Sequence, residues 1–374
     1  MVDVAALVRK HAGKRFLFTG RCHSGPLVWV VVKSYGPGAP SGGICMRSSN
    51  EAKLAAVVAV ITVGFVLIDI WWSRTSNISL DPGSWIEFAK IMALLGVLFL
   101  VMKAIERRLA ADASRPGRTI SYAAESIRWL IINAAMFIPL GFASIYFMYM
   151  AAATDRPLMD QPLAVIDGMI GFRWRAFLEL TNNYPAVAKT LVFAYHALGP
   201  QMPVMFILLA FADRLRLTEF MAMLAVSSAL TAAGMAMVPA AGAYAYFQPL
   251  ASDFSNFTAH AGVWHLAELM KIRSGQPFSL LVTHAEGMVT FPSYHTALGI
   301  MITYALRRLP AIAWPVGALN AIMVVSTLPE GGHHLIDVVA GAAVGALSIS
   351  AVWVAQDVYR SVDAASAQSL REVN

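Results

Sequence analysis

Charge is what this sequence has least of: Asp, Glu, Lys and Arg together make up 13% of its 374 residues, against roughly a quarter in an average soluble domain. With 58% hydrophobic residues and a mean hydropathy of +0.61, that scarcity excludes an ordinary water-soluble domain and points to a chain that crosses a bilayer several times. Cysteine is nearly absent. Cys22 and Cys45 are too few and too far apart for a disulfide framework or a zinc site. Acid is scarcer than base, giving a net charge of +6 and a pI near 9.4. The basic residues stand in short clusters between apolar runs, so they read as topology signals, and no nucleic-acid partner is expected.

Residues 1–45 lack an apolar period long enough to span a membrane; they hold SYGPGAPSGG, both cysteines and one short burst, LVWVVV. A signal peptide is disfavoured, because the basic region runs to about 15 residues and the apolar core is short. A disordered extension is expected, or an upstream-translated leader with Met46 as the start. From Leu54 onward, apolar runs approach the ~20 residues that a crossing helix needs, at about 54–72, 86–104, 129–151, 189–212, 217–239, 292–307, 310–326 and 335–356. The expected fold is therefore all-α, a polytopic membrane helix bundle of about eight transmembrane helices. Residues 46–128 would contribute two additional transmembrane helices and a basic cytoplasmic loop, 129–358 a six-helix catalytic membrane domain, and 359–374 a cytoplasmic tail.

Strict alternation of those spans puts Lys103, Arg107, Arg108, Arg115, Arg118, Arg214, Arg216, Arg307 and Arg308 on one side, which the positive-inside rule makes the cytoplasm. The longer loops, about 152–188 and 240–291, fall on the opposite side. In the first of them, Trp174 between Arg173 and Arg175 suggests an amphipathic helix lying among headgroups, or a headgroup-recognition element. In the fourth span, Pro200 and Pro203 are expected to kink the helix and free carbonyls, with Tyr195, His196 and Gln201 near enough to satisfy them or to line a substrate path.

Two outward stretches carry the chemistry. FPSYHTA, residues 291–297, opens one apolar run with Ser293, Tyr294 and His295; STLPEGGHHLIDVVAG, 326–341, opens another. His333 and Asp337 are four residues apart and share a helix face, so one carboxylate can orient one imidazole. His334 points about 100° away from His333 on a helix, toward loop or headgroup. A metal site from His295, His333 and Asp337 has suitable ligand types, but Glu330 is the one obvious fourth donor. Asp337 alone could serve a transporter's proton relay, although the other spans lack ionisable partners for it. Handling phosphate also needs fixed positive charge, and loop 240–291 offers Lys271 and Arg273.

PSYH, followed by Ser326, then His333 seven positions later and Asp337 four beyond it, resembles the type 2 phosphatidic acid phosphatase superfamily over about 190–356. FPSYHTA and GGHHLIDVVAG are more similar to its branch of inositol phosphorylceramide synthases and related bacterial membrane proteins. The resemblance implies a six-helix core and an enzyme that needs no cofactor or metal. Its substrate would be a membrane lipid, met at the periplasmic or exterior face of a bacterial plasma membrane. It makes His333 the nucleophile that becomes phosphohistidine, Asp337 the group holding its other ring nitrogen, and His295 the acid that protonates the leaving alcohol. Ser293, Tyr294 and helix-start N–H groups would hold phosphoryl oxygens, and Arg273, with Lys271, would supply transition-state charge. Three positions depart from the family pattern. Thr327 stands where it carries arginine, Tyr294 where it carries glycine, and its Lys and Arg-Pro motif is absent from the outward loop; a near copy, Arg108 to Arg115-Pro116, falls on the cytoplasmic side. The first chemical step is common to hydrolysis of a lipid phosphate and to transfer of a phospho-headgroup to a lipid alcohol. A non-enzymatic transporter or flippase-like protein is the rival of another class.

Overall fold

The computed structural model describes the backbone of residues 41–372 and the side chains of residues 50–356. The extension expected at 1–45 lies, up to residue 40, outside the described residues. Three long helices come first: α1 Ser41–Trp72, α2 Pro82–Leu109 and α3 Arg115–Ala152. Their starts are written in the sequence. Asp81 accepts the Gly83 N–H at 2.7 Å with Pro82 in the first turn of α2, and Ser114 accepts the Gly117 N–H at 3.1 Å ahead of α3. Two short helices follow, α4 Asp160–Met169 and α5 Trp174–Asn182, then the long α6 Pro185–Ala212 and α7 Arg214–Met237. Residues 238–291 hold the short helices α8 Ala243–Phe247, α9 His260–Val263 and α10 His265–Arg273. The bundle closes with α11 Tyr294–Ala305, α12 Pro310–Ser326 and α13 Leu335–Glu372.

The all-α membrane bundle expected from composition is what the chain forms. Among the described residues, six helices are long and apolar enough to cross a bilayer: α1 over Asn50–Trp72, α2, α3, α6, α7 and α13 over Leu335–Gln356. α6 runs on as helix through Pro200 and Pro203. The other two expected crossings are helical but shorter, 12 residues in α11 and 17 in α12. At 1.5 Å per residue they extend about 18 and 26 Å, less than the ~30 Å hydrocarbon thickness. Leu54, Leu140, Leu198, Phe220, Met301, Met323 and Val344 tie α1, α3, α6, α7, α11, α12 and α13 into one apolar core. α2 packs on α3 and otherwise leaves apolar side chains bare, Leu94 and Leu100 being 58% and 65% exposed, as a lipid-facing helix does.

The two ends of the bundle differ in chemistry. At one end the basic clusters meet acids: Arg128 with Glu106 at 2.7 Å, Arg307 with Glu219 at 2.8 Å, Arg308 with Asp213 at 3.3 Å, and Arg214 with Glu125. At the other end the short helices make a cover. Strand β1, Ile78–Leu80, pairs in parallel with β2, Phe278–Leu280, and Asn77 donates to the carbonyls of Ile272 and Gln276. The α1–α2 hairpin is thereby fastened to the loop that leads into FPSYHTA.

Candidate active site

α13 can lie against the start of α11 because glycine replaces side chain along its contact face. A Cβ at Gly341 would sit 2.2 Å from the Ser293 carbonyl oxygen, and one at Gly345 3.2 Å from that of Ala297. This small-xxx-small approach brings the backbones close enough for the Ser293 N–H to donate to the Asp337 carbonyl at 2.9 Å. Two motifs more than thirty residues apart are thus joined through main chain. Ser293 is fully buried and its hydroxyl accepts from Thr296 at 3.1 Å.

His333 stands in the turn between α12 and α13. Its Nδ1 is 3.4 Å from Asp337 Oδ2, and both residues are buried. Asp337 Oδ2 also accepts the His334 N–H at 2.8 Å, so the carboxylate is fixed from the same turn that carries the imidazole. Burial pushes the His333 imidazole down to about 4, against the Thr290 carbonyl and with His334 acting in the same direction as burial. At pH 7 it is neutral. His295 is half-buried and stacks on Tyr195 with ring centroids 4.7 Å apart and planes 17° apart. Tyr195 also lies against Gly331, where a Cβ would be 2.9 Å from its ring and 3.2 Å from His333 Cδ2. One aromatic ring therefore spaces the two histidines.

The turn itself is held from above, carbonyl by carbonyl. Trp174 Nε1 donates to Leu328 at 3.0 Å, the Tyr244 hydroxyl to Pro329 at 2.6 Å, and the Ala243 N–H to Gly332 at 2.7 Å. Gly332 has φ +69°, and a Cβ there would meet the Tyr244 ring at 2.8 Å, so the turn needs glycine on both counts. Trp174 is 2% exposed and stacks on Phe247 at 5.4 Å, so the tryptophan read as a headgroup anchor is a structural wedge over the site; Arg173 and Arg175 beside it are exposed.

Asp160 and Asp167 on α4 are functional neighbours that sequence reasoning missed. Asp167 accepts the N–H groups of Leu335 and Ile336 at 2.8 and 2.9 Å, capping α13 from 168 residues away. Asp160 accepts those of Ala241 and Gly242 at 2.9 and 2.7 Å. His334, fully buried, lies between the two, 3.5 Å from Asp160 and 3.8 Å from Asp167. The one signal available was their i, i+7 spacing, two acids on one face of a short helix in an acid-poor chain.

Ser293, His295, His333 and Asp337 are brought together; the remaining expected residues are engaged elsewhere. The Tyr294 hydroxyl lies 3.3 Å from both Ser227 and Ser228, inside the bundle against α7. Arg273 donates to the carbonyls of Ala152 and Arg156 at 3.1 and 2.5 Å, just past the C-terminus of α3, and Lys271 sits 5.1 Å over the Phe278 ring. Thr327 is fully buried and its hydroxyl back-bonds to Val324 at 2.7 Å. Glu330, the fourth donor weighed for a metal, accepts instead from Thr258, Ala259 and His196. Arg273→Ala is accordingly expected to lower stability by about 1 kcal/mol while leaving kcat within about twofold. Paired melting and turnover measurements check this, and a tenfold loss of kcat at unchanged melting temperature would return Arg273 to the chemistry.

Residues 161–351, half of the chain and the part that carries Ser293, His295, His333 and Asp337, match the family model described as the PAP2 superfamily. No curated protein and no solved structure matches the chain.

Proposed function

The chain belongs to the PAP2 superfamily, an integral membrane protein of phosphatase type, and on that premise we propose that it hydrolyses a lipid phosphate at the outer face of the membrane through a phosphohistidine. The observation that carries the proposal is the joining of the two motifs: the Ser293 N–H on the Asp337 carbonyl at 2.9 Å, with Asp337 3.4 Å from His333 Nδ1. That arrangement sets the carboxylate on the Nδ1 side of the ring, and Nε2 is the nitrogen assigned to attack phosphorus.

In the first step the Nε2–P bond forms and the P–O bond to the lipid alcohol breaks. The departing oxygen takes its proton from His295, whose imidazole burial holds down at about 4 and which the negative charge of the bound phosphoryl group would bring back to its protonated form. Asp337 stabilises the positive charge on the phosphorylated ring. In the second step His295 takes a proton from water, the water oxygen attacks phosphorus, the P–N bond breaks and inorganic phosphate leaves. Ser293 and the free N–H groups of the first turn of α11 receive the phosphoryl oxygens. The outward assignment is supported by the position of the site at the end of the bundle opposite the arginine clusters.

The test is incubation of membranes containing the chain with a panel of labelled lipid phosphates and phospholipids in EDTA, resolving free phosphate from newly formed phospholipid. Phosphate release that persists in EDTA is expected. Label passed to a lipid alcohol would replace hydrolysis with headgroup transfer, the reaction of the inositol phosphorylceramide synthase-like branch. No product from any lipid would overturn the enzyme reading in favour of a transporter.

A further inference from the structure

A phosphoryl group in a recessed, low-dielectric site needs a donor that carries charge, and the arginine expected to supply it is tied to two carbonyls at the end of α3. Among the buried acids around the site that the mechanism does not use, one holds a side chain that faces outward. Glu330, three residues before His333, is fully buried and accepts the Thr258 N–H at 3.0 Å, the Thr258 hydroxyl, the Ala259 N–H at 3.3 Å and His196 Nε2 at 3.1 Å.

We propose that His196, fixed by Glu330, is the side chain that binds the phosphoryl oxygens of the lipid substrate, in place of the family's arginine at Thr327. The inference rests on the phosphatase reading of the same site. His196 lies on α6, an apolar helix long enough to cross the bilayer, where an ionisable side chain that does not serve function is rare. It is not packed away, since its side chain is 52% exposed. Tyr195 fixes its place relative to the chemistry: that ring stacks on His295 and meets His196 edge-on, with centroids 5.5 Å apart and planes at 84°. Burial acts against the charged form of His295, and His333 and His196 both act on it in the same direction. With Nε2 held by the carboxylate, Nδ1 is the nitrogen left for a ligand. A protonated imidazole in that pair donates a charge-assisted bond to a phosphoryl oxygen, while Glu330 balances its charge out of contact with the substrate. Because Glu330 and His333 share one turn, a single loop sets both the phosphate-binding group and the nucleophile.

The probes are orthovanadate, as a phosphate mimic, and dioctanoyl phosphatidate, as a dispersed lipid phosphate, applied to the full chain purified in detergent. His196→Gln is expected to weaken vanadate inhibition and raise KM by about tenfold or more, the loss of one charge-assisted bond. His196→Arg is expected to restore inhibition to within about threefold of the parent, which a role confined to satisfying Glu330 does not predict. Vanadate-induced stabilisation against thermal unfolding reads the same binding without turnover. Vanadate binding unchanged in His196→Gln, or equally poor in His196→Arg, overturns the inference. His333→Ala separates the two levels: if that variant is inactive while His196→Gln binds vanadate normally, only the role of His196 falls, whereas turnover retained in His333→Ala removes the phosphatase reading itself.

Discussion

Turnover of a lipid phosphate by purified His333→Ala is expected to fall by about 10⁴-fold or more, because no other side chain in the site is positioned to form the covalent intermediate. The expectation is specific to the ring and not to the fold. His333 is buried and its removal leaves Asp337 with the His334 N–H as its remaining side-chain partner, so some loss of stability accompanies the change. His333→Gln keeps a polar group near Asp337 and is the control: it should elute and melt more like the parent and be as inactive as the alanine variant. Activity retained in both, measured as phosphate release at saturating lipid, removes His333 from the mechanism and leaves the bundle without its nucleophile.

Gly341→Val should be nearly as damaging without touching a reacting atom. The added Cβ would start 2.2 Å from the Ser293 carbonyl, which is backbone and cannot swing aside, so α11 and α13 must separate. Overpacking of this kind costs about 1–3 kcal/mol in stability. The larger effect falls on catalysis, since parting these helices breaks the Ser293–Asp337 bond and moves His295 away from His333. A displacement near 1 Å at a site of this sort costs about 10²-fold in rate. Gly345→Ala makes the comparison, because its Cβ would meet the Ala297 carbonyl at 3.2 Å, where a few tenths of an ångström suffice. Equal, small losses in both variants would show that the approach of the two helices does not set the geometry of the site.

The histidines and their carboxylate were legible because their relation is local. His333 and Asp337 are one helical turn apart, and Ser293 and His295 open an apolar run, so spacing alone puts each set on one surface. Arg273 was open to misplacement for the opposite reason. A basic residue in an acid-poor loop looks free in sequence, and what occupies it is a pair of main-chain carbonyls, at the last residue of α3 and just beyond it, which carry no sequence signature. The same holds for Trp174, whose indole bonds the Leu328 carbonyl across 154 residues, and for Asp167, whose partners are the N–H groups of Leu335 and Ile336. Among the described residues hydropathy located every long helix and both ends of α12, Pro310–Ser326, but it extended α11 at both ends; α11 begins only after Pro292, which is packed against Gly234.

What the sequence determined by itself was the solvent and the inventory: a chain with this little charge must satisfy its backbone in helices within a bilayer, and His295, His333 and Asp337 are the groups it presents at one end. Tertiary structure decided which of its other polar residues serve that end. Donors and acceptors far apart in the chain choose partners by proximity after packing, and buried acids such as Asp160, Asp167 and Glu330 must be paired where they come to rest, whatever the local sequence around them suggests.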